Sequence, residues 1–475
     1  MARINTNVGA VVAQRHLTRS YVDLNRTINR LSSGLRIARG ADDPAGLIAS
    51  ERLRAEIQAV QQASENTQRA SLIIATAEGA LDEVSRLLVE IQDLIVEAAN
   101  EGALSEDEIR ANQLALDSAI DSITRVANTT TFAGRHLING SLDYVTSGVD
   151  DTLVDALHIN ATQFGTRTYV PVNVDVTVSA QPATLFFQAG SVATTVTIEL
   201  AGNRGATTLT FASGTAASAI VAGINAVSDA TGVLATLSAS PTSGFVLESE
   251  LLGSRQFVSV EVLPGGGTFN VVDENGTTTT RDEGRDAVGL INGTQAQADG
   301  NYLTLRTPTL DIELSLVDTF GTGTTAFAII EGGALFQVGP EVNTSQQVNI
   351  GIRSMTASRL GTSQLGFLSQ VQTGGQSSLI NGEYDQAQQI VKEAIRQVTV
   401  LRGRLGAFEL NALDTNVNQL GITLENLMAA ESTIRDADFA HEISELTRDQ
   451  ILVNAGTAVL AIAQQTPQTV LRLLS

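Results

Sequence analysis

AEGALDEVSRLLVEIQDLIVEA, residues 77–98, repeats apolar side chains at alternating intervals of four and three residues. The repeating positions are Ala77, Leu81, Val84, Leu88, Ile91, Ile95 and Ala98. Intervals that average 3.5 residues place these side chains along one side of an α-helix, where a partner helix must cover them. This segment therefore predicts a long helix that is packed against another helix over its whole length.

Further segments at both ends of the chain have the same spacing. Near the N-terminus the positions are Leu17, Tyr21, Leu24, Ile28, Leu31 and Leu35. Toward the C-terminus they are Ala387, Val391, Ala394, Val398, Leu401, Leu405 and Phe408 and, after a slip of one residue, Leu413, Val417, Leu420, Leu424 and Leu427. Phe439, Leu446, Val453 and Leu460 continue at intervals of seven. A single stripe also fits an ordinary helical bundle, but four stripes at both ends favour long coiled-coil packing between the ends.

The prolines separate these helical arms from a different middle. Residues 45–170 and 341–466 contain no proline, and five of the eight prolines lie within 171–308. Proline interrupts helices, so the two arms are free to be helical. The middle alternates apolar and polar residues, as in Leu310, Ile312, Leu314 and Leu316, which predicts half-buried strands with one helix near 216–228. The expected fold is a rod of mainly α terminal arms with a strand-rich α+β insertion.

Helix boundaries can be placed from caps and breaks. Gly40, Asp42, Asp43 and Pro44 predict the end of the first helix and the start of the second, because Asp43 can cap a helix and proline suits its first position. The second helix is expected to end at 100–102, with Ser105 capping a third. At about 1.5 Å per residue the second helix would span about 85 Å, which favours a building element over a compact enzyme.

Charge and composition exclude several classes of protein. The 475 residues carry a net charge of −22 and no cysteine, which excludes disulfides and thiol chemistry and argues against nucleic acid as a partner. Residues 1–40 have a net charge of +6, residues 431–475 of −3 and residues 166–340 of −10. The opposite charges of the two ends favour their pairing, although a solvated helix face explains the N-terminal arginines equally well. No apolar run is long enough to span a bilayer, and the N-terminus lacks the apolar core of a signal peptide.

No catalytic or metal-binding motif emerges. His441 and Glu442 match half of a zinc-protease helix, but the second histidine is missing, so an ordinary helix surface is the better interpretation. The neighbouring Asp42 and Asp43 are better explained as helix caps than as catalytic carboxylates. We expect no enzyme activity, no metal and no cofactor.

The motifs at both ends resemble those of bacterial flagellins. The N-terminal ones are LSSGLRI at 31–37, DDPAGL at 42–47 and TAEGAL at 76–81. The C-terminal ones include STIRDAD at 432–438, LTRDQIL at 446–452, AGTA at 455–458 and PQTVLRLL at 467–474. The resemblance covers about residues 1–140 and 345–475. A weaker one links 238–262 and the helix before them to the strand–helix insert motif of some flagellins. Lys392, the only lysine, and Ala38-Arg39-Gly40 depart from the family pattern.

The resemblance implies a filament subunit with five segments. Residues 1–43 and 435–475 would form an inner coiled-coil tube, 44–165 and 341–434 an outer helical tube, and 166–340 a solvent-facing domain. Inner-tube packing would use Leu17, Leu24, Ile28, Leu31, Leu35, Leu446, Val453 and Leu460. Outer-tube packing would use Leu81, Val84, Leu88, Ile91, Ile95, Val398, Leu401, Leu405, Phe408, Leu420, Leu424 and Leu427.

The resemblance also implies a location and partners. Such a chain would leave the cell unfolded through the flagellar type III channel, without a cleaved signal peptide, and would polymerise with its own copies for swimming motility. It would also meet the filament cap, the hook-associated proteins and an export chaperone that binds its C-terminal segment. Two alternatives stay open: a hook–filament junction protein with the same helical ends, and a flagellin with an enzymatic middle domain.

One family motif is altered. Many flagellins carry Gln-Arg-x-Arg-Glu-Leu-Ala-Val in the second helix, where a Toll-like receptor binds. The matching positions here are Val89, Glu90, Ile91, Gln92, Asp93 and Leu94, followed by Ile95 and Val96. Glu90 and Gln92 replace the two arginines, so the resemblance implies weak or absent receptor activation. Alternatively, these residues are only a solvated helix face.

Overall fold

Long helices form both ends of the chain and short strands form its middle. The computed structural model describes residues 6–100, 102–238, 244–265, 267–363 and 365–474. The helices are α1 Val8–Ser33, α2 Pro44–Ala98, α3 Glu106–Thr129, α4 Ala217–Asn225, α5 Ser228–Thr231, α6 Tyr384–Phe408, α7 Thr415–Arg435 and α8 Phe439–Leu474. At about 1.5 Å per residue, the 55 residues of α2 extend over about 82 Å.

The strands are short, and in the four larger sheets every neighbouring pair is antiparallel. The first twelve are β1 Thr131–Phe132, β2 Arg135–His136, β3 Tyr144–Ser147, β4 Val154–Thr162, β5 Val170–Val178, β6 Thr184–Phe187, β7 Val196–Gly202, β8 Gly205–Phe211, β9 Val233–Leu237, β10 Phe245–Ser249, β11 Phe257–Val262 and β12 Val271–Val272. The others are β13 Arg281–Glu283, β14 Val288–Ile291, β15 Thr294–Gln295, β16 Gln297–Asp299, β17 Tyr302–Arg306, β18 Leu310–Leu316, β19 Gly323–Gly332, β20 Ala334–Gln337, β21 Gln347–Ile350, β22 Gly361–Thr362 and β23 Gly366–Phe367.

Side-chain caps mark the starts of the first three helices. The Asn7 side chain accepts the Ala10 N–H at 3.0 Å at the start of α1. Asp43 accepts the Gly46 N–H at 3.0 Å at the start of α2. Ser105 and Glu108 form a capping box at the start of α3. Each cap satisfies a backbone donor that has no partner inside its own helix.

The chain divides into two compact units. One unit contains Met1–Arg69, Gln337–Val342 and Leu410–Ser475, and the other contains Ala70–Phe336 and Asn343–Glu409. Within the first unit the short segment after β20 lies against α2 and α7: Asn416 donates to the Val338 carbonyl at 2.6 Å and to Thr67 Oγ1 at 3.2 Å.

Two hydrophobic cores lie in the strand-rich part of the second unit. The first core lies between the sheet β15-β14-β5-β19-β3 and the sheet β16-β17-β18-β4. Alternate residues of β5 and β18 supply it, including Val172, Val174, Ile312 and Leu314, all fully buried. The alternation in the sequence therefore sets which side of each strand faces this core.

The second core belongs to an insertion between β5 and β14. Its sheets are β12-β6-β10-β9 and β13-β11-β7-β8, covered by α4. The stacked ring of Phe187 lies 4.9 Å from that of Phe245 and 4.4 Å from that of Phe269. The chain enters and leaves this insertion at one place, where Gln181 and Arg285 form an antiparallel bridge with N···O distances of 2.8 and 2.9 Å.

The structure confirms the predicted fold class, and strands also occur outside residues 166–340. Strands already occur at β3 and β4, before residue 166, because they pair with β19 and β18. Likewise β21 follows residue 340. The helix predicted near 216–228 is α4, with Ile220 and Ile224 buried. The signal-peptide argument rests partly on residues 1–5, and the weaker insert match includes 239–243; both ranges lie outside the described residues.

Candidate assembly interface

The first and last helices lie side by side and run antiparallel. Asn7 Nδ2 donates to the Ala463 carbonyl at 2.7 Å near one end of the pair. Near the other end, Arg30 Nη1 lies 3.2 Å from Glu442 Oε1. A Cβ on Gly456 would lie 3.0 Å from Leu17 Cδ1, so glycine permits the close approach of the helices between these points. The oppositely charged ends of the chain thus meet within one molecule.

The predicted inner positions are placed unequally. Val453 is buried, and Leu17, Leu24, Leu31, Leu35, Leu446 and Leu460 are half-buried. Ile28 is 45% exposed and Tyr21 is 46% exposed. The side of α1 that faces α8 therefore differs from the predicted stripe at these two positions. The seam between α1 and α8 contains, between these leucines, the smaller Ala13, Ser20 and Thr27. They continue the 3–4 spacing on the side of α1 that faces α8.

Buried acids occupy the α8 side of this seam. Glu442 and Asp449 are each only 4% exposed. Thr27 donates its hydroxyl to Asp449 Oδ2 at 3.1 Å, and Arg30 pairs with Glu442. The sequence analysis assigned Glu442 to an ordinary helix surface, which is wrong because it is buried, and it missed Asp449, because only apolar residues were followed in the seam. The sequence did contain a signal for them: the two acids are seven residues apart and belong to the same 3–4 repeat as Val453.

The outward faces of the pair carry many exposed apolar side chains. On α1 they are Val8, Val11, Val12, Tyr21, Val22 and Ile28, and on α8 they are Phe439, Ile443, Ile451, Leu452, Val459 and Ile462. These side chains are 39–65% exposed. Large exposed apolar side chains that recur along both helices are typical of a binding interface, because a soluble monomer gains nothing by exposing them.

The predicted outer positions lie mostly in the interior of the single chain. Leu81, Val84, Leu88, Ile91, Ile95, Val398, Leu401 and Leu405 are at most 5% exposed. Phe408 is half-buried, and Arg402 on α6 pairs with Asp82 on α2 at 3.0 Å. Further along, Leu420 is buried and Leu424 and Leu427 are partly buried against Val60 and Ala63 of α2.

A short π-helix, Glu409–Asp414, separates α6 from α7. A π-turn takes one residue more than an α-turn and so shifts the apolar phase by one position. It accounts for the slip in the sequence between Phe408 and Leu413. Leu413 is fully buried, so the shifted phase again directs its apolar side chains inward.

The predicted helix break is correct at one end and wrong at the other. Pro44 opens α2 and Asp43 caps it, as expected. However, α1 ends at Ser33, because Gly34 adopts a left-handed conformation with φ of 71°. Leu35 therefore lies beyond the helix, in a bridge with Asp436. Asp42 is not a helix cap; it accepts the Arg39 N–H at 3.0 Å and holds the connecting turn.

The region that matches the receptor motif is a mixed helix surface. Val89, Glu90 and Asp93 are exposed, Gln92 and Leu94 are half-buried, and Ile91 is fully buried. Arg86, one turn earlier, lies 2.6 Å from Glu83 and 3.5 Å from Glu90. Its hydrogen bond to Glu83 lowers the pKa of that carboxyl. The exposed side of this segment thus presents carboxylates together with one arginine.

Comparison with known proteins identifies the family. Residues 4–143 match the bacterial flagellin N-terminal helical region, and residues 388–474 match its C-terminal helical region. Flagellin of Salmonella typhimurium is 30% identical, over 99% of both chains. The chain belongs to the flagellin family. Flagellin of Clostridium tyrobutyricum is 28% identical over 98% of this chain and all of that one. Residues 195–250 of this flagellin-family chain match the flagellin hook IN motif, which covers β7 to β10 and α4.

As a member of this family, the chain is a structural subunit of the flagellar filament, which lies outside the cell. The family consists of structural proteins and not of enzymes. Among the described residues no group of three or more histidines, aspartates and glutamates could hold a metal. In the same part of the chain, no helix has the length and apolar character needed to cross a membrane.

The flagellar hook-associated protein-3 of Legionella pneumophila covers 81% of this chain and 98% of its own, at 12% identity. The TM-score of 0.31 is too low to favour that class of protein.

Proposed function

We propose that this chain polymerises with its own copies into the filament that drives swimming. The observation that supports this most is the exposed apolar surface on the outward faces of α1 and α8. Both helices expose large apolar side chains along their length, between exposed polar ones such as Arg15 and Gln450. Neighbouring copies would bury these faces, and the gain of about 25 cal/mol for each Å² would favour a polymer.

The proposal assigns roles to the five segments. The α1 and α8 pair, within 1–43 and 435–475, forms the inner tube. The long helices within 44–165 and 341–434 form the outer tube, and the strand-rich part, 166–340, faces solvent. The acidic charge of that part supports the last assignment, since a net charge far from zero keeps a polymer surface soluble.

The proposal also includes a route and partners. The chain leaves the cell unfolded by the flagellar type III system, without a cleaved signal peptide. It is inserted beneath a filament cap, is joined to the cell by hook-associated proteins, and is held before export by a chaperone on its C-terminal segment. A chain without cysteine suits this route because it cannot become cross-linked while it is unfolded.

A matched pair of variants tests the proposal. Ile28→Asp places a charge on the exposed face of α1, where the side chain is 45% exposed. Ile330→Asp makes the same change on β19, where the side chain is 42% exposed. Purified monomers are seeded and examined by electron microscopy. We expect Ile28→Asp to abolish filaments and Ile330→Asp to leave them intact.

Two results would contradict the proposal. One is normal filaments from Ile28→Asp. The other is a wild-type chain that never elongates and binds only to the ends of existing filaments, which would identify it as a junction protein.

A further inference from the structure

Strand β18 is covered on both of its faces, in two different ways. Its apolar side chains, Leu310, Ile312, Leu314 and Leu316, are buried in the first strand core. Between them, Asp311 and Glu313 lie on the opposite face of the strand. There Asp311 Oδ2 lies 3.2 Å from Arg404 Nη2, on helix α6. At this place the sheet therefore meets α6 through charged side chains.

The charged and polar side chains between the sheet and α6 form a polar layer that joins the two. The other Asp311 oxygen accepts from Asn160 Nδ2 on β4 at 3.2 Å, so one carboxylate is shared by the sheet and the helix. Beside it, Glu313 accepts from the Tyr302 hydroxyl at 2.6 Å and from Arg306 Nη2 at 3.5 Å. The acids of β18 are thus contacted by polar side chains from β4, β17 and α6.

Arg353 contacts both the sheet and helix α6. It makes a hydrogen bond from Nη1 to His158 Nε2 on β4 at 3.3 Å and donates from Nη2 to the Gln397 carbonyl on α6 at 3.3 Å. Among the described residues no carboxylate lies within ion-pair distance of this guanidinium, and Asp143 and Glu313 act on it only from further away. Burial and the nearby Arg396 lower its pKa. A further positive charge next to Arg353 would therefore be poorly tolerated.

We propose that this polar layer is a latch that holds the strand-rich part against α6 and that is released when His158 gains a proton. Opening the layer exchanges ion pairs and hydrogen bonds for contacts with water, which costs far less than exposing an apolar surface of the same size. Both sides keep their own cores when it opens, because the apolar residues of β18 face away from α6. Release is thus a movement of folded parts and not unfolding.

His158 is placed to act as the trigger. Burial, and then the neighbouring Arg353, lower its pKa to about 4, while Glu313 on β18 opposes this and Arg396 on α6 adds to it. Released into water, the imidazole would recover its ordinary pKa of about 6.5. Between these values the released form binds the proton more readily than the closed form, so acid favours release, by at most tenfold for each pH unit.

Other carboxyl groups around the layer also respond to acid. Burial raises the pKa of Glu313, but Tyr302 and the nearby arginines lower it, and the net shift is downward. Burial likewise raises the pKa of Glu393 on α6, but Arg396 and Gln397 lower it, again with a net downward shift. The layer keeps both carboxyls charged, so their protonation at still lower pH also weakens it. Burial raises the pKa of Asp143, so protonation there acts in the opposite direction and favours the closed form.

The absence of cysteine allows a direct test. Spin labels on Lys392→Cys in α6 and Thr319→Cys after β18, both exposed positions, report the distance across the layer in the soluble monomer. We expect one short distance at pH 7.5 and a second, longer population that grows as the pH falls from 6 to 4.5. Arg404→Gln removes the contact to Asp311 and should shift this growth toward neutral pH, and His158→Gln should abolish it. Circular dichroism must show unchanged secondary structure throughout.

The control variant is Arg204→Gln, which breaks another ion pair, with Glu250 at 2.6 Å, inside the inserted sheets. It should not change the distance at any pH. An unchanged distance down to pH 4.5 in both the wild type and Arg404→Gln would overturn the proposal. So would an acid response that persists in His158→Gln. If Arg404→Gln does not fold, the comparison of the wild type with His158→Gln decides the question alone.

Discussion

The terminal helix pair and the strand-rich part of this chain differ in where their hydrophobic surfaces go. The strand-rich part has two cores of its own, with fully buried residues such as Val174 in one and Ile198 in the other. The pair of α1 and α8 buries few side chains, two of which are the acids Glu442 and Asp449. Its larger apolar residues mostly face outward. One region therefore buries its apolar residues within the single chain, whereas the other leaves many of its own exposed, and in the proposed function further copies cover them.

The largest effect should come from a charge in the helical interior. Leu88 and Val174 are both fully buried, so Leu88→Asp and Val174→Asp each cost several kcal/mol, a large part of a typical stability of about 5–15 kcal/mol. We expect Leu88→Asp to prevent polymerisation and Val174→Asp to unfold only its own core and leave filaments. Sedimentation of polymer and swimming assays measure the difference. Equal losses would mean that the two regions are not separable.

A smaller effect should follow from opening the polar contact in the α1–α8 seam. Glu442→Ala leaves the partly buried Arg30 without its partner, which we expect to cost about 2 kcal/mol, because that guanidinium remains partly exposed. Filaments should dissociate at a lower temperature. Glu445→Ala, on the same helix, breaks the more exposed pair with Arg448 and should change this temperature little. If both variants behave alike, the buried pair does not stabilise the seam.

A still smaller effect on assembly is expected from removing the inserted sheets. Deletion of residues 183–283 leaves two chain ends that already meet at the bridge between Gln181 and Arg285, so a two-residue linker is enough. The removed part contains its own core and none of the seam positions. Filament yield should stay close to that of the wild type. Failure to polymerise with several linkers would show that these sheets contribute contacts between subunits.

The smallest structural effect should come from restoring the receptor motif. Glu90→Arg together with Gln92→Arg changes side chains on the exposed side of α2 and should leave polymerisation unchanged. It should raise receptor activation in reporter cells treated with monomer, since a paired cation at an interface centre contributes about 2–5 kcal/mol. Glu97→Arg, on the same helix, is the control and should have no effect. A wild-type chain that is as active as a flagellin with both arginines would contradict this prediction.

Much of the helical architecture could be predicted from the sequence because heptad spacing and proline are strong local signals. The slip after Phe408 was visible in the sequence, although the π-helix that accounts for it was not predicted. Other features depend on partners that local patterns do not reveal. Ile28 and Thr27 are adjacent, and only the position of α8 decides which of them enters the seam. Similarly, the alternation in β18 predicted its apolar face but not that its acids would meet Arg404 of α6.

Hydrogen exchange on the monomer and on the filament tests the central claim most directly. In the monomer the seam between α1 and α8 buries too little apolar surface to offset the entropy lost on ordering, so we expect fast exchange over residues 8–33 and 439–465. The same amides should become strongly protected in the filament, while β5 and β18 should be protected equally in both states. Strong protection of α1 and α8 in the monomer would show that this pair is complete without further copies and would contradict the account.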